Sequence, residues 1–183
     1  MRHVALLRGI NVGGNTMIKM EELRAMFEAL RFGNVASYIN SGNIAFDNVR
    51  SSHAGKIETS EITLSDQIES AIQSTFGKAV RVMVREQRHI QTILDNNPFA
   101  GQFESHKEMH VLFLKGELTA DQADRLSELT PPAERFTAVG REIYCHLPLG
   151  VAESFLGRGQ FEKKLNVAAT ARNWRTVERL AGL

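Results

Sequence analysis

Three patterns predict an α+β fold built as two similar halves, residues 1–86 and 87–183. Short apolar runs of strand length alternate with longer segments whose apolar residues recur at helical spacing. The first half reads strand, helix, hairpin, helix, strand. After an opening helix, the second half repeats strand, helix, hairpin, helix, although no residue-level repeat is visible.

The elements follow in order. Residues 3–8, "HVALLR", form a strand. Met20, Leu23, Phe27 and Leu30 mark one face of a helix over residues 19–31, and Gly33 ends it. "VASYINSGNIAF" is two strands joined through Asn40, Ser41, Gly42 and Asn43. Residues 48–60 are polar and read as a surface loop. "SDQIESAIQSTFG" is a helix with Ser65 as its cap and Gly77 as its stop, and "AVRVMVR" alternates as a half-buried strand. In the second half, a helix over 87–95 stops before Pro98, and "EMHVLFLKG" is a strand. Thr119 caps a helix that Pro131 and Pro132 terminate, and "ERFTAVGREIYCHLP" turns at Gly140. Two helices, over 153–165 and 173–181, finish the chain. This order of crossovers and hairpin is the ferredoxin-like, or α-β plait, arrangement, with two such halves packed together. "HVALLR" and "MHVLFL" are apolar on both faces, so both sheets are covered twice. That argues against an exposed aromatic RNA platform.

The charge balance is 22 Lys and Arg against 21 Asp and Glu, a net +1, which argues against a dedicated nucleic-acid binder. The single cysteine, Cys145, excludes an internal disulfide and suits a reducing compartment. The apolar run at residues 4–7 is too short for a signal-peptide core or a membrane span, so the expected location is the cytoplasm.

One edge of the fold draws attention. In this topology the end of the first strand and the hairpin after the second strand lie on one rim, two strand spacings apart, roughly 10 Å. The first helix also begins there, presenting its free amides. The rim collects Arg8, Gly9, Asn11, Gly13, Gly14, Asn15, Asn40, Ser41 and Asn43, with no negative charge among them. That composition suits a small anionic or nucleotide-like ligand. The same glycines also serve as plain turn-formers, and "GINVGGN" matches neither the dinucleotide fingerprint nor the phosphate loop.

The tail from Gly157 carries six bases against two acids. It offers phosphate contacts, with Arg172 and Asn173 as outside contributors, or a solvated helix face whose Trp174, Val177 and Leu180 point inward under an Asn173 cap. No metal site or cofactor is expected. His106 and His110 lack ligand spacing, and Cys145, flanked by Ile143 and Leu147, reads as a core thiol. No catalytic residue can be nominated.

"VALLRGINVGG", "YINSGNIAF", "NPF", "GREIYCHLP" and "ATARNWRTVERL" together resemble the bacterial family called domain of unknown function 1697. The resemblance implies two packed α-β plait halves and no established activity or cofactor. It marks Arg8, Gly9, Asn11, Gly13, Gly14, Ser41, Gly42, Asn43, Thr170, Arg172, Asn173 and Trp174. The chain departs from the family pattern at Ser154, Phe155 and Leu156, where relatives carry Ser-Lys-Leu, and at Arg175, where they carry Asn. Three functions follow as expectations: a ligand binder at the glycine rim, a nucleic-acid module using the basic tail, and a homodimeric interaction protein.

Overall fold

In the computed structural model, which describes residues 1–14, 16–48 and 60–183, the chain is a mixed α+β fold with two four-stranded antiparallel sheets and six helices. It divides into two compact units, Met1–Thr92 with Arg179–Leu183, and Ile93–Glu178. Asn15 and most of the polar stretch expected as a surface loop lie outside the described residues. Among those described, no helix is long and apolar enough to cross a membrane.

The first sheet contains β1 (Arg2–Leu7), β2 (Gly33–Tyr38), β3 (Asn43–Asp47) and β4 (Val82–Glu86), in the order β2-β3-β1-β4. Helices α1 (Met20–Ala29) and α2 (Glu61–Phe76) cover one face. Ala5 and Leu7 of β1 point into that layer against Leu23, Phe27, Leu64 and Ile68. Val4 and Leu6 are buried on the opposite face, as the doubly apolar run requires. The cap of α2 is Ser60, whose hydroxyl accepts from Thr63 N–H, and not the expected Ser65. Ser65 instead lies inside the helix, donates to Glu61 O and accepts from Val84 N–H. Gly77 ends α2 in the left-handed conformation, as expected.

After α3 (Gln87–Asp95), the second sheet contains β5 (Met109–Leu114), β6 (Arg135–Val139), β7 (Glu142–His146) and β8 (Ala169–Asn173), in the order β6-β7-β5-β8. Helices α4 (Ala120–Leu129) and α5 (Phe161–Leu165) accompany it, and α6 (Trp174–Ala181) follows β8. The Thr119 cap of α4 is present as a reciprocal capping box with Gln122. The predicted 153–165 helix shrinks to the five residues of α5. Strand β8 was not expected: it falls between the helices predicted over 153–165 and 173–181, and in it Ala169 and Ala171 line the helix-covered core while Thr170 and Arg172 face away, a period of two.

With β8 in place the two units share one topology, and a residue-level repeat does exist. "HVALLRG" at 3–9 matches "HVLFLKG" at 110–116. The pairing is equivalent: Val4 faces Arg85 across the ladder as Val111 faces Arg172. Leu7 N–H donates to Gly42 O at 2.8 Å, and Leu114 N–H to Arg141 O at 2.9 Å. Arg85 and Arg172 each donate Nη1 to the carbonyl of the residue before, both at 2.8 Å. Three substitutions within the seven-residue window, and unequal loops between windows, hide the repeat.

Candidate functional site

The polar rim of the first unit is assembled by the β1–β3 ladder. Leu6 pairs with Asn43, so the chain leaving β1 and the chain entering β3 adjoin, and Gly42 sits against Leu7 and Ile10. Gly42 has φ +82°, and a Cβ there would stand 2.7 Å from Leu7 Cβ and 2.9 Å from Ile10 Cγ1. Glycine is required on both counts. The two bends therefore meet, as topology demands.

Asn11 is the joint between them. Its Nδ2 donates to Ile18 O and to Asn40 O, each at 2.9 Å, while its Oδ1 accepts from Ile18 N–H at 2.8 Å. Its φ of 55° is left-handed, a conformation that asparagine tolerates best after glycine. This side chain folds the loop onto the hairpin. Asn43 is fully buried and donates to Tyr38 O at 3.0 Å and to Ser41 Oγ at 3.4 Å, bracing the turn from below.

Above these joints the loop is open. Gly9, Gly13 and Gly14 all have positive φ, and among the described residues no atom beyond their chain neighbours lies within 4 Å of a Cβ built on any of them. Arg8 is exposed, with its N–H bonded to Arg81 O at 2.9 Å. Sequence reasoning missed Arg81, whose place at the rim follows only from the β1–β4 register. An open groove of about 590 Å³ runs along the loop and is lined by Asn11, Met17, Ile18, Met20, Glu21 and Asn40, among others. Val12, Met17 and Ile39 are exposed apolar side chains on this part of the chain. Glu21 and Glu22 occupy the first turn of α1, and Lys19 pairs with Glu22 at 3.4 Å. The rim is thus mixed, with a positive strand end, apolar walls and an acidic helix start.

The tail residues belong to the second unit up to Glu178. Arg172 is buried on β8 and donates to Thr170 Oγ1 at 2.8 Å, and burial brings its pKa down to about 10. Asn173 is exposed and caps α6, accepting from Thr176 N–H at 2.9 Å. Trp174, Val177 and Leu180 are buried as the inward stripe requires. The six bases are spread over a turn, α5, β8 and α6 and do not form one helix face. Phe155, where relatives carry lysine, is buried among Phe136 and Phe161 with Lys164 Nζ 5.6 Å from its ring. Cys145 is buried among Ile143 and Leu147, and burial pushes its thiol well up. Among the described residues no cluster of His, Cys, Asp or Glu could hold a metal ion.

A solved conserved bacterial protein from Streptococcus pneumoniae is similar over 99% of this chain and 97% of its own, with a TM-score of 0.77 and 23% identity. That likeness speaks to fold. No curated protein matches the chain. The model of the family described as "Protein of unknown function (DUF1697)" matches residues 1–144, which take in the glycine rim, its hairpin and the "NPF" motif, and the chain belongs to that family.

Proposed function

We propose that the first unit binds a small nucleotide-like ligand with an anionic end at the β1–α1 rim. Both units are read as ferredoxin-like plaits, a reading supported by the shared order β2-β3-β1-β4 and β6-β7-β5-β8. The observation that carries the proposal is an asymmetry between equivalent junctions. In the second unit, five residues join β5 to α4. In the first, twelve join β1 to α1 and carry three open glycines. The topology does not need that length. The open backbone at Gly9, Gly13 and Gly14 and the exposed Arg8 suit the anionic end, and Met17, Ile18 and Met20, which line the groove, suit an apolar ring. Glu21 and Glu22 weigh against a bare inorganic anion. The buried thiol of Cys145 suits a cytoplasmic setting.

The test is a nucleotide panel followed by amide resonances. The expected outcome is movement at residues 8–14 and 40–42 that saturates. Arg8→Ala is expected to weaken binding by about 10-fold or more, in line with a charged hydrogen bond, without moving the unfolding midpoint. A panel that moves none of these amides overturns the reading.

A further inference from the structure

Four strands lie at sheet edges: β2 and β4 in the first unit, β6 and β8 in the second. An edge strand turns half of its backbone groups away from its ladder, where another chain could pair with them, and most proteins block such edges. The bond from Arg8 N–H to Arg81 O sets the alternation in β4, so Val82, Val84 and Glu86 face outward. Helix α2 closes this edge with one acceptor per turn. Glu69 Oε1 takes Val82 N–H at 2.9 Å, Ser65 Oγ takes Val84 N–H at 3.2 Å, and Glu61 Oε1 takes Glu86 N–H at 2.6 Å. β8 is closed in part: Glu162 Oε1 takes Ala169 N–H at 2.9 Å, and Arg172 Nη1 occupies Ala171 O. β2 is interrupted by a bulge between Gly33 and Ala36, and Arg2 Nη1 occupies Asn34 O.

β6 carries none of these devices. Leu114 N–H donates to Arg141 O, so Ile143 and Cys145 of β7 bond to β5, while Glu142, Tyr144 and His146 bond to Val139, Thr137 and Arg135 of β6. Phe136 and Ala138 therefore turn their amides and carbonyls outward, and among the described residues nothing hydrogen-bonds them. The strand is paired to β7 without a bulge, holds no Lys or Pro, and leaves Ala138 and Val139 exposed. Its one charge, Arg135, is held by its ladder partner His146 at 2.9 Å and by Gln102 at 2.6 Å.

We propose that β6 pairs antiparallel with β6 of a second copy about a two-fold axis at Thr137, joining two second-unit sheets into one. That axis gives the register in which all five residues overlap. Phe136 then meets Ala138 of the second copy, large against small, and each such pair exchanges both backbone bonds. Thr137 meets Thr137, and Arg135 meets Val139, so no like charges stand opposite. This self-complementarity selects a second copy over an unrelated extended peptide. Five residues a side fall short of the ~20 a side of a standard interface, so the dimer is reversible and grows with concentration. The surface uses the second unit alone and does not rest on the rim reading.

The experiment is sedimentation of the full chain from micromolar towards millimolar concentration, with amide exchange read at both ends. The dimer fraction is expected to rise, and exchange at Phe136 and Ala138 to slow with it. Ala138→Pro removes an outward donor that the β6–β7 ladder does not use, at an edge position that tolerates proline, and should be monomeric throughout with an unchanged circular dichroism spectrum. Should that variant fail to fold, Thr137→Cys decides. Residues facing each other across the axis come close enough for a disulfide, and the native Cys145 is buried. With oxidised glutathione, Thr137→Cys should form a covalent dimer faster than Val139→Cys, which lies off the axis. A wild type that stays monomeric, protection of the two amides that ignores concentration, a dimer that survives Ala138→Pro, or equal cross-linking of the two cysteine variants overturns the proposal.

Discussion

The two units are built on the same strand order and, about their first strands, the same register, yet they close the junction between first strand and first helix in opposite ways. In the second unit the connection is five residues, and the helix start is satisfied locally by Thr119 and Gln122. In the first unit the Lys19 side chain makes no such cap. The work passes to Asn11, which ties the loop to Ile18 and to the hairpin at Asn40. The hairpins differ to match: Gly42 must be glycine where the equivalent position is Arg141. The comparison teaches that the framework alone does not call for the glycine rim. The rim is an addition to a scaffold that folds without it, and additions that expose backbone are where binding tends to reside.

Gly42 offers the strongest way to break this view. Gly42→Ala combines a left-handed φ with contacts under 3 Å to Leu7 and Ile10, and should destabilise the protein by about 3–4 kcal/mol. The urea midpoint measures it. Arg141→Ala at the matching turn meets no such clash and no left-handed backbone, and should cost clearly less. Equal losses would mean that the two hairpins are built alike after all.

Matched histidines sharpen the comparison next. His3 and His110 hold the same position in the repeat, both buried. His3 has Met1 O at 3.2 Å and is flanked by Glu86, so although burial lowers its pKa the carbonyl and the carboxylate offset part of the loss. His110 pairs across the ladder with Asn173 where His3 has Glu86, its Nδ1 has no partner among the described residues, and burial lowers its pKa to about 4. The folded pKa lies below the unfolded value of 6.5, so the unfolded chain takes up the proton first. Stability is therefore full above pH 6.5 and falls as the pH drops towards 4, by about 3 kcal/mol for His110. Denaturant midpoints between pH 7 and 4 should fall less steeply in His110→Phe than in the wild type. His3→Phe should flatten the curve less.

Much of this was legible in the sequence, for identifiable reasons. Strands β1 and β5 were plain because both faces are apolar, and the meeting of the two bends followed from topology once those strands were placed. Strand β8 was not, because a two-residue period carried by alanines gives little apolar alternation, and only tertiary burial against the sheet defines it. Within the rim, residue type identified Asn11 and Asn43 as polar. It could not tell that their amides are spent on backbone carbonyls, since that depends on the φ of 55° at Asn11 and on Asn43 being fully buried. Arg81 was illegible for the same reason: only the register of β4 against β1 brings it to the edge.

The helix starts themselves supply a smaller contrast. Asn11→Ala removes both carbonyl contacts and leaves Ile18 N–H without its acceptor, an expected cost of about 2 kcal/mol. Thr119→Ala removes one cap and should cost about 1 kcal/mol. Hydrogen exchange separates the two mechanisms: the Ile18 amide should lose protection in the first variant, and Gln122 in the second.

The open glycines have a small effect on stability, and it separates function from framework. Gly13→Ala and Gly14→Ala place a methyl group in empty space, so the penalty is left-handed backbone strain alone, about 1 kcal/mol each. If the glycines serve as joints, those losses complete the account, and no ligand response changes beyond them. If the amides meet a ligand, the same methyl groups stand where the ligand must approach, and nucleotide-dependent shifts at residues 8–14 should disappear while the unfolding midpoint hardly moves. The pairing of a small midpoint change with a lost spectral response is the signature that a purely structural role cannot produce, because strain acts on the fold and steric blocking acts on the visitor.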